Sequence, residues 1–182
     1  LINMIRTFIA VELPDKFIPE IKKIGSALDM PGIKLVEPEQ VHITLKFLGD
    51  IKESDVDSIL SALSQINCRQ FEAKIKEVGV FPKLAYIKVI WLGAEGNFDV
   101  LHDEVERVLS LFKFEKDHHF SPHATLARVK QLRDKSLLLG NLKKLEHIDL
   151  GMMNVGSILL KKSTLTPAGP VYETLGEIRL KD

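Results

Sequence analysis

The stretch His42-Ile43-Thr44-Leu45-Lys46-Phe47 has a counterpart in His123-Ala124-Thr125-Leu126-Ala127-Arg128. Both begin His-x-Thr-Leu, both follow a polar turn, and both open runs whose apolar and β-branched residues predict a strand. They lie 81 positions apart, the difference between 123 and 42, so each half of the 182-residue chain holds one copy. Two copies at so long a period exclude a solenoid. They predict a two-lobed, pseudo-symmetric molecule in which each half is one strand-helix-strand unit.

The flanking sequence supports this reading. Residues 5–11 (Ile-Arg-Thr-Phe-Ile-Ala-Val) predict a strand buried on both faces, which Pro14 ends. Phe17, Ile21, Ile24 and Leu28 recur at helical spacing and predict a helix over 14–30, stopped by Pro31-Gly32. A short strand over 33–36 and a turn at 37–40 lead into a strand over 41–48. A helix follows over 54–66, then a hairpin of 71–81 with 85–92, and a helix over 98–112. The second half closes with a strand over 123–129, a helix over 134–144, and strands 148–166 and 171–180 paired across the turn Pro167-Ala168-Gly169-Pro170. The pattern is α+β, with antiparallel ladders carrying helices on one face.

Composition narrows the function. Lys+Arg and Asp+Glu are both 25, which excludes a general positive field of the kind that coats nucleic acid, so any RNA contact is local. Cys68 is the single cysteine, which rules out an intramolecular disulfide and zinc sites built on paired thiolates, and fits a reducing cytoplasm. The absence of a long apolar run predicts a protein that is neither secreted nor membrane-bound.

In a strand, residues i and i+2 point to the same face, about 7 Å apart, so each motif presents an imidazole together with a hydroxyl. If pseudo-symmetry sets the two strands side by side, His42, Thr44, His123 and Thr125 share one cleft. Two imidazoles titrating near neutrality can supply the base that activates water and the acid that protonates a departing sugar oxygen. Threonine hydroxyls can donate to the non-bridging oxygens of a phosphodiester, and no metal is required. Arg128 is a candidate clamp for the same oxygens. Counting by two from His123, however, puts Ala127 on the active face and Arg128 on the other. Arg128 therefore reaches the phosphate only if the strand bends or bulges.

The two His-x-Thr-Leu motifs come with further segments: Arg6-Thr-Phe8-Ile-Ala10-Val-Glu-Leu-Pro14, Val89-Ile-Trp91-Leu-Gly93, and Lys161-Lys-Ser163-Thr-Leu-Thr-Pro167-Ala-Gly169-Pro170-Val-Tyr172. Over nearly the whole chain these resemble the RNA 2',3'-cyclic phosphodiesterases of the 2H phosphoesterase superfamily, long described as 2'-5' RNA ligases. The resemblance implies that residues 1–182 form a single bilobal domain, two antiparallel sheets flanking a central cleft with helices on the outer faces. It implies hydrolysis of terminal 2',3'-cyclic phosphates to 2'-phosphates without a cofactor, with His42 as proton donor and His123 as proton acceptor. It places Arg128 on the phosphate, against the parity count. It also implies a reverse, ATP-independent 2'-5' ligation, RNA ends such as tRNA halves as partners, and a monomer.

Other residues are weighed beside these. Phe8, Phe47, Trp91 and Tyr172 could stack a terminal base, although most strand aromatics are core, and two of the four at most are expected to do so. His118 and His119, with Glu115 and Asp117, do not share a strand face with His123 and read as a solvated turn, not a metal site. His102 and His147 read as surface residues. Lys161-Lys162 and the set Lys46, Lys83 and Lys88 could track an RNA backbone or simply face water. Two other functions remain open: the same mechanism on a small cyclic phosphate such as ADP-ribose 1'',2''-cyclic phosphate, and a non-catalytic RNA-binding module.

Overall fold

A computed structural model describes residues 1–182. The strands are β1 (Met4–Glu12), β2 (Ile33–Leu35), β3 (His42–Lys52), β4 (Phe71–Lys83), β5 (Tyr86–Glu95), β6 (His123–Val129), β7 (Asp149–Val155), β8 (Ser157–Thr166) and β9 (Gly169–Arg179). The helices are α1 (Ile18–Leu28), α2 (Val56–Leu63), α3 (Phe98–Val108) and α4 (Lys135–Leu145). Each helix follows its apolar spacing: α1 buries Ile21, Ile24 and Leu28, and α3 buries Phe98, Leu101, His102 and Val105. The Asp134 side chain accepts from the Leu137 amide and caps the start of α4. No helix is long and apolar enough to cross a membrane.

The strands run in the order β7-β4-β5-β6-β3-β1-β8-β9, with β2 added to β6. The expected two sheets are thus the halves of one antiparallel sheet. They meet at one register pair, Ile43 opposite Ala124. Beyond that pair the edge of β6 is taken over by β2, with Ile33 opposite Val129 and Leu35 opposite Ala127. β3 therefore leaves β6 almost at once, and the halves splay apart into lobes.

The expected single strand over 148–166 divides at Gly156. β7 pairs with β4, Phe71 opposite Val155, while β8 pairs with β1 and β9. One residue thus joins an edge strand of one lobe to a strand of the other, so the sheet curls until its ends approach. The direction of the curl follows from Tyr172 on β9, whose ring lies 5.5 Å from that of His42 on β3, across β1 and β8. Three strand spacings on a flat sheet would be roughly 14 Å, so the sheet is concave on the face that carries His42.

The opposite face carries the core. Ile43, Leu45, Ala124, Leu126 and Ala127 belong to one buried cluster that also takes in the apolar faces of all four helices. α3 lies over β3, α1 over β6, α4 over β4 and α2 over β9.

Candidate active site

Because Ile43 faces Ala124 across the seam and both are buried, their neighbours His42, Thr44, His123 and Thr125 all turn to the concave face, where each is part-exposed. Extending the register sets His42 opposite Thr125 and Thr44 opposite His123. The imidazoles are then diagonal neighbours, which a regular antiparallel ladder holds roughly 7–8 Å apart. One bridge of sheet is enough to assemble the four groups.

Both histidines are held by the same device. Nδ1 of His42 donates to the Gln40 carbonyl at 2.7 Å, and Nδ1 of His123 donates to the Ser121 carbonyl at 2.6 Å. A carbonyl only accepts, so the proton sits on Nδ1 and Nε2 is left to exchange protons in the cleft. Nε2 of His42 lies 3.1 Å from the Thr44 hydroxyl, which donates to it while the ring is neutral. Nothing in the residue types at Gln40 and Ser121 foretold this, because the contact uses only their backbone.

Arg128 resolves the parity objection. Across β5 and β6, Trp91 pairs with Thr125 but Ile90 pairs with Ala127, so Leu126 is an extra residue. This is a β-bulge, and it turns the following side chain over. β3 has the same bulge at the same place, with Ala10 opposite Thr44, Ile9 opposite Lys46, and Leu45 extra. From the histidine onward both strands read part-exposed, buried, part-exposed, buried, buried, exposed. The sixth residue, Phe47 in one copy and Arg128 in the other, thereby joins the concave face. The Arg128 charge is felt at both His42 and Tyr172.

Burial pushes the His42 imidazole below its ordinary range. Its hydrogen bond to the Gln40 carbonyl opposes the shift, Lys161 and Arg128 add to it, and Glu12 opposes it. The ring stacks on Phe8 at 5.0 Å and meets Tyr172 edge-on. Burial also raises the Tyr172 phenol, with Arg128 opposing. His123 is framed in the same way by Phe81, edge-on at 4.9 Å, and by Trp91 at 6.4 Å.

The aromatic candidates separate. Phe8 is only 3% exposed and packs against His42, Tyr172 and Phe47, so it supports the imidazole and has no face for a base, contrary to the stacking expectation. Phe47, 64% exposed, has a free face. Trp91 lies flat over Gly79, where an added Cβ would stand 2.2 Å from the indole, and its buried Nε1 has no partner. Phe81 is the aromatic that sequence reasoning missed; it was read only as the end of a strand.

Two expectations about charged residues are corrected. His102 is 5% exposed, not a surface residue: it stacks on Phe120 at 4.2 Å, and its Nε2 lies 3.1 Å from Asp117. Lys46 is 2% exposed and neither tracks RNA nor faces water, because the Leu45 bulge turns it into the core face. There its ammonium donates to Glu106 and to the Glu115 carbonyl, each at 2.6 Å, and lies 3.8 Å from Asp117. His102, Glu106 and Asp117 resemble a metal triad, but the Lys46 ammonium already supplies the cation that these carboxylates need. His118, His119 and His147 are exposed, as their contexts implied. Lys161 and Lys162 pair with Glu12 and Glu173, which neutralises both.

A curled sheet whose halves each bring one His-x-Thr pair to a common concave face is the 2H phosphoesterase fold. The chain belongs to the LigT-like phosphoesterase family, whose model matches it twice, over residues 11–91 and 93–172, one motif in each match. A Methanocaldococcus jannaschii protein named RNA 2',3'-cyclic phosphodiesterase is 39% identical over 94% of this chain and 99% of its own. A protein of the same name from Methanothermobacter thermautotrophicus is 34% identical over 97% and 99%. Among solved structures, TT0787 of Thermus thermophilus superposes with a TM-score of 0.83 at 27% identity, covering 97% of this chain and 98% of its own. E. coli LigT, with a TM-score of 0.77 at 19% identity over 99% of each chain, shares the fold.

Proposed function

We propose that this chain hydrolyses RNA 2',3'-cyclic phosphate ends to 2'-phosphomonoesters by metal-independent acid-base catalysis between His42 and His123. The observation that carries the reading is the duplicated arrangement: two imidazoles from two lobes on one concave face, each with Nδ1 tied to a carbonyl and Nε2 turned to the cleft. Water attacks phosphorus and gives its proton to Nε2 of His123. The bond from phosphorus to the 3'-oxygen breaks, and Nε2 of His42 protonates that oxygen. His42 ends neutral and His123 protonated, and solvent restores the starting forms. Each histidine contributes about 10²- to 10⁴-fold.

Thr44, Thr125 and Arg128 hold the non-bridging oxygens as their charge grows. The burial that lowers the His42 pKa makes its imidazolium a stronger acid toward the leaving oxygen, while the bound phosphate anion favours the protonated form. A 5'-hydroxyl in place of water would give a 2'-5' linkage with the same pair of groups, so ligation of RNA ends such as tRNA halves is the same ring opening with a different nucleophile, and its reversal re-forms the cyclic phosphate. The test is turnover, with EDTA present, of a short RNA ending in 2',3'-cyclic phosphate, with the product phosphate located. His42→Ala and His123→Ala should each lose activity by about 10²-fold or more. Wild type that binds this RNA without turning it over, or a rate that collapses in EDTA, overturns the proposal.

A further inference from the structure

The concave face does not stop at Arg128. It runs on into a groove of about 490 Å³ whose lining includes Tyr86, Lys88, Arg128, Lys130, Leu132 and Lys135, and in which no carboxylate takes part. A third bulge puts Lys88 on the catalytic side. Phe81 pairs with Val89 but Pro82 pairs with Ile87, so Lys88 is the extra residue of β5. Ile87 and Ile90 stay buried, Lys88 is exposed, and Val89 sits opposite Arg128. Lys130, exposed and just beyond the end of β6, lines the same groove. The Lys88 ammonium lies 5.2 Å over the Tyr86 ring, which is 58% exposed. Lys135 donates to the Ala85 carbonyl at 2.8 Å and pins the hairpin end to the start of α4.

The charge here is locally one-sided: Lys88, Arg128, Lys130 and Lys135 line the groove with no acid among its lining residues, in a molecule that is electrically balanced as a whole. Four cations around one groove without an acid repel one another, and a polyanion relieves that repulsion. An exposed aromatic beside them offers a stacking platform that any base can use.

We infer that this groove binds the single-stranded RNA that precedes the cyclic end, its phosphates on Lys88 and Lys130 and a base on Tyr86. The inference rests on the proposed reading that the active site takes RNA termini. It adds where the strand lies and which residues distinguish an RNA from a mononucleotide.

The test compares two substrates, a nucleoside 2',3'-cyclic phosphate and a short single-stranded RNA with the same end, on wild type, Lys88→Ala/Lys130→Ala and Tyr86→Ala. The mononucleotide ends at the reacting phosphate, so both variants should turn it over within about twofold of wild type. On the RNA, the double variant should lose about tenfold or more in kcat/KM. Its dependence on log salt should flatten by about 1.4, from two phosphate contacts at roughly 0.7 each. Tyr86→Ala should lose roughly fivefold or more on the RNA alone. Equal losses on both substrates, or no loss on the RNA, overturn the inference. If wild type turns over neither substrate, the reading of the active site fails. The groove is then decided by anisotropy with the same RNA, where the double variant must still bind about fivefold more weakly or the inference falls too.

Discussion

Replacing Lys46 by methionine removes one positive charge from a place that water does not reach. The Lys46 side chain is 1% exposed, and its ammonium donates to Glu106 and to the Glu115 carbonyl, both at 2.6 Å. Methionine keeps the volume of the stem, so no cavity opens and the loss is electrostatic. Glu106, only 17% exposed, keeps its carboxylate without a counter-charge, and a carbonyl loses its donor. Breaking a buried pair from one side costs about 3–5 kcal/mol, against a total of about 5–15 kcal/mol for a domain. Adding Glu106→Gln takes away the stranded charge, so the double variant should lose at least about 1.5 kcal/mol less than the sum of the single losses. Urea unfolding of the four proteins at one pH, with the slope m held constant, measures this. A Lys46→Met loss under about 1 kcal/mol, or strictly additive variants, would refute the account of Lys46 as a buried peg.

Gly79→Ala should displace the Trp91 indole, because the new Cβ would stand 2.2 Å from its ring. Trp91 is the one tryptophan of the chain, so its emission should shift with a loss of about 1–3 kcal/mol in stability, and an unchanged spectrum would contradict the packing. For His42, the folded state favours the neutral ring, so the unfolded chain binds more protons between the lowered folded value and the ordinary 6.5. Stability should therefore rise with pH through that window and level off above it; His42→Gln should flatten the slope, and an unaltered slope would count against burial as the cause.

The pairing of imidazole with hydroxyl was legible because parity at i and i+2 survives any fold that keeps the strand. Arg128 was not settled by the same count, since a bulge leaves no mark on an alternating pattern: Leu126 reads as an ordinary strand residue until its partner strand is seen. Lys46 failed for the same reason, because the matching bulge at Leu45 sends a lysine inward. Its partners, Glu106 and the Glu115 carbonyl, lie 60 and 69 residues away. The break at Gly156 was hidden because apolar residues continue on both sides of it. What changes there is the neighbouring strand, not the local pattern.

The threading of the chain through the sheet orders the events of its synthesis. β4, β5, β6 and β7 all lie between residues 71 and 155, so their pairings can form as soon as that stretch has left the ribosome. The lobe that carries His42 has no such independence: Arg6 waits for Ser163, and Ala10 for Leu159. Until then the outer edge of β1, a buried strand in the finished protein, offers unpaired backbone to any neighbouring chain. β1 is thus made well before β8, the strand that closes it, and nascent copies on crowded polysomes are most exposed to mispairing at the Met4–Glu12 edge.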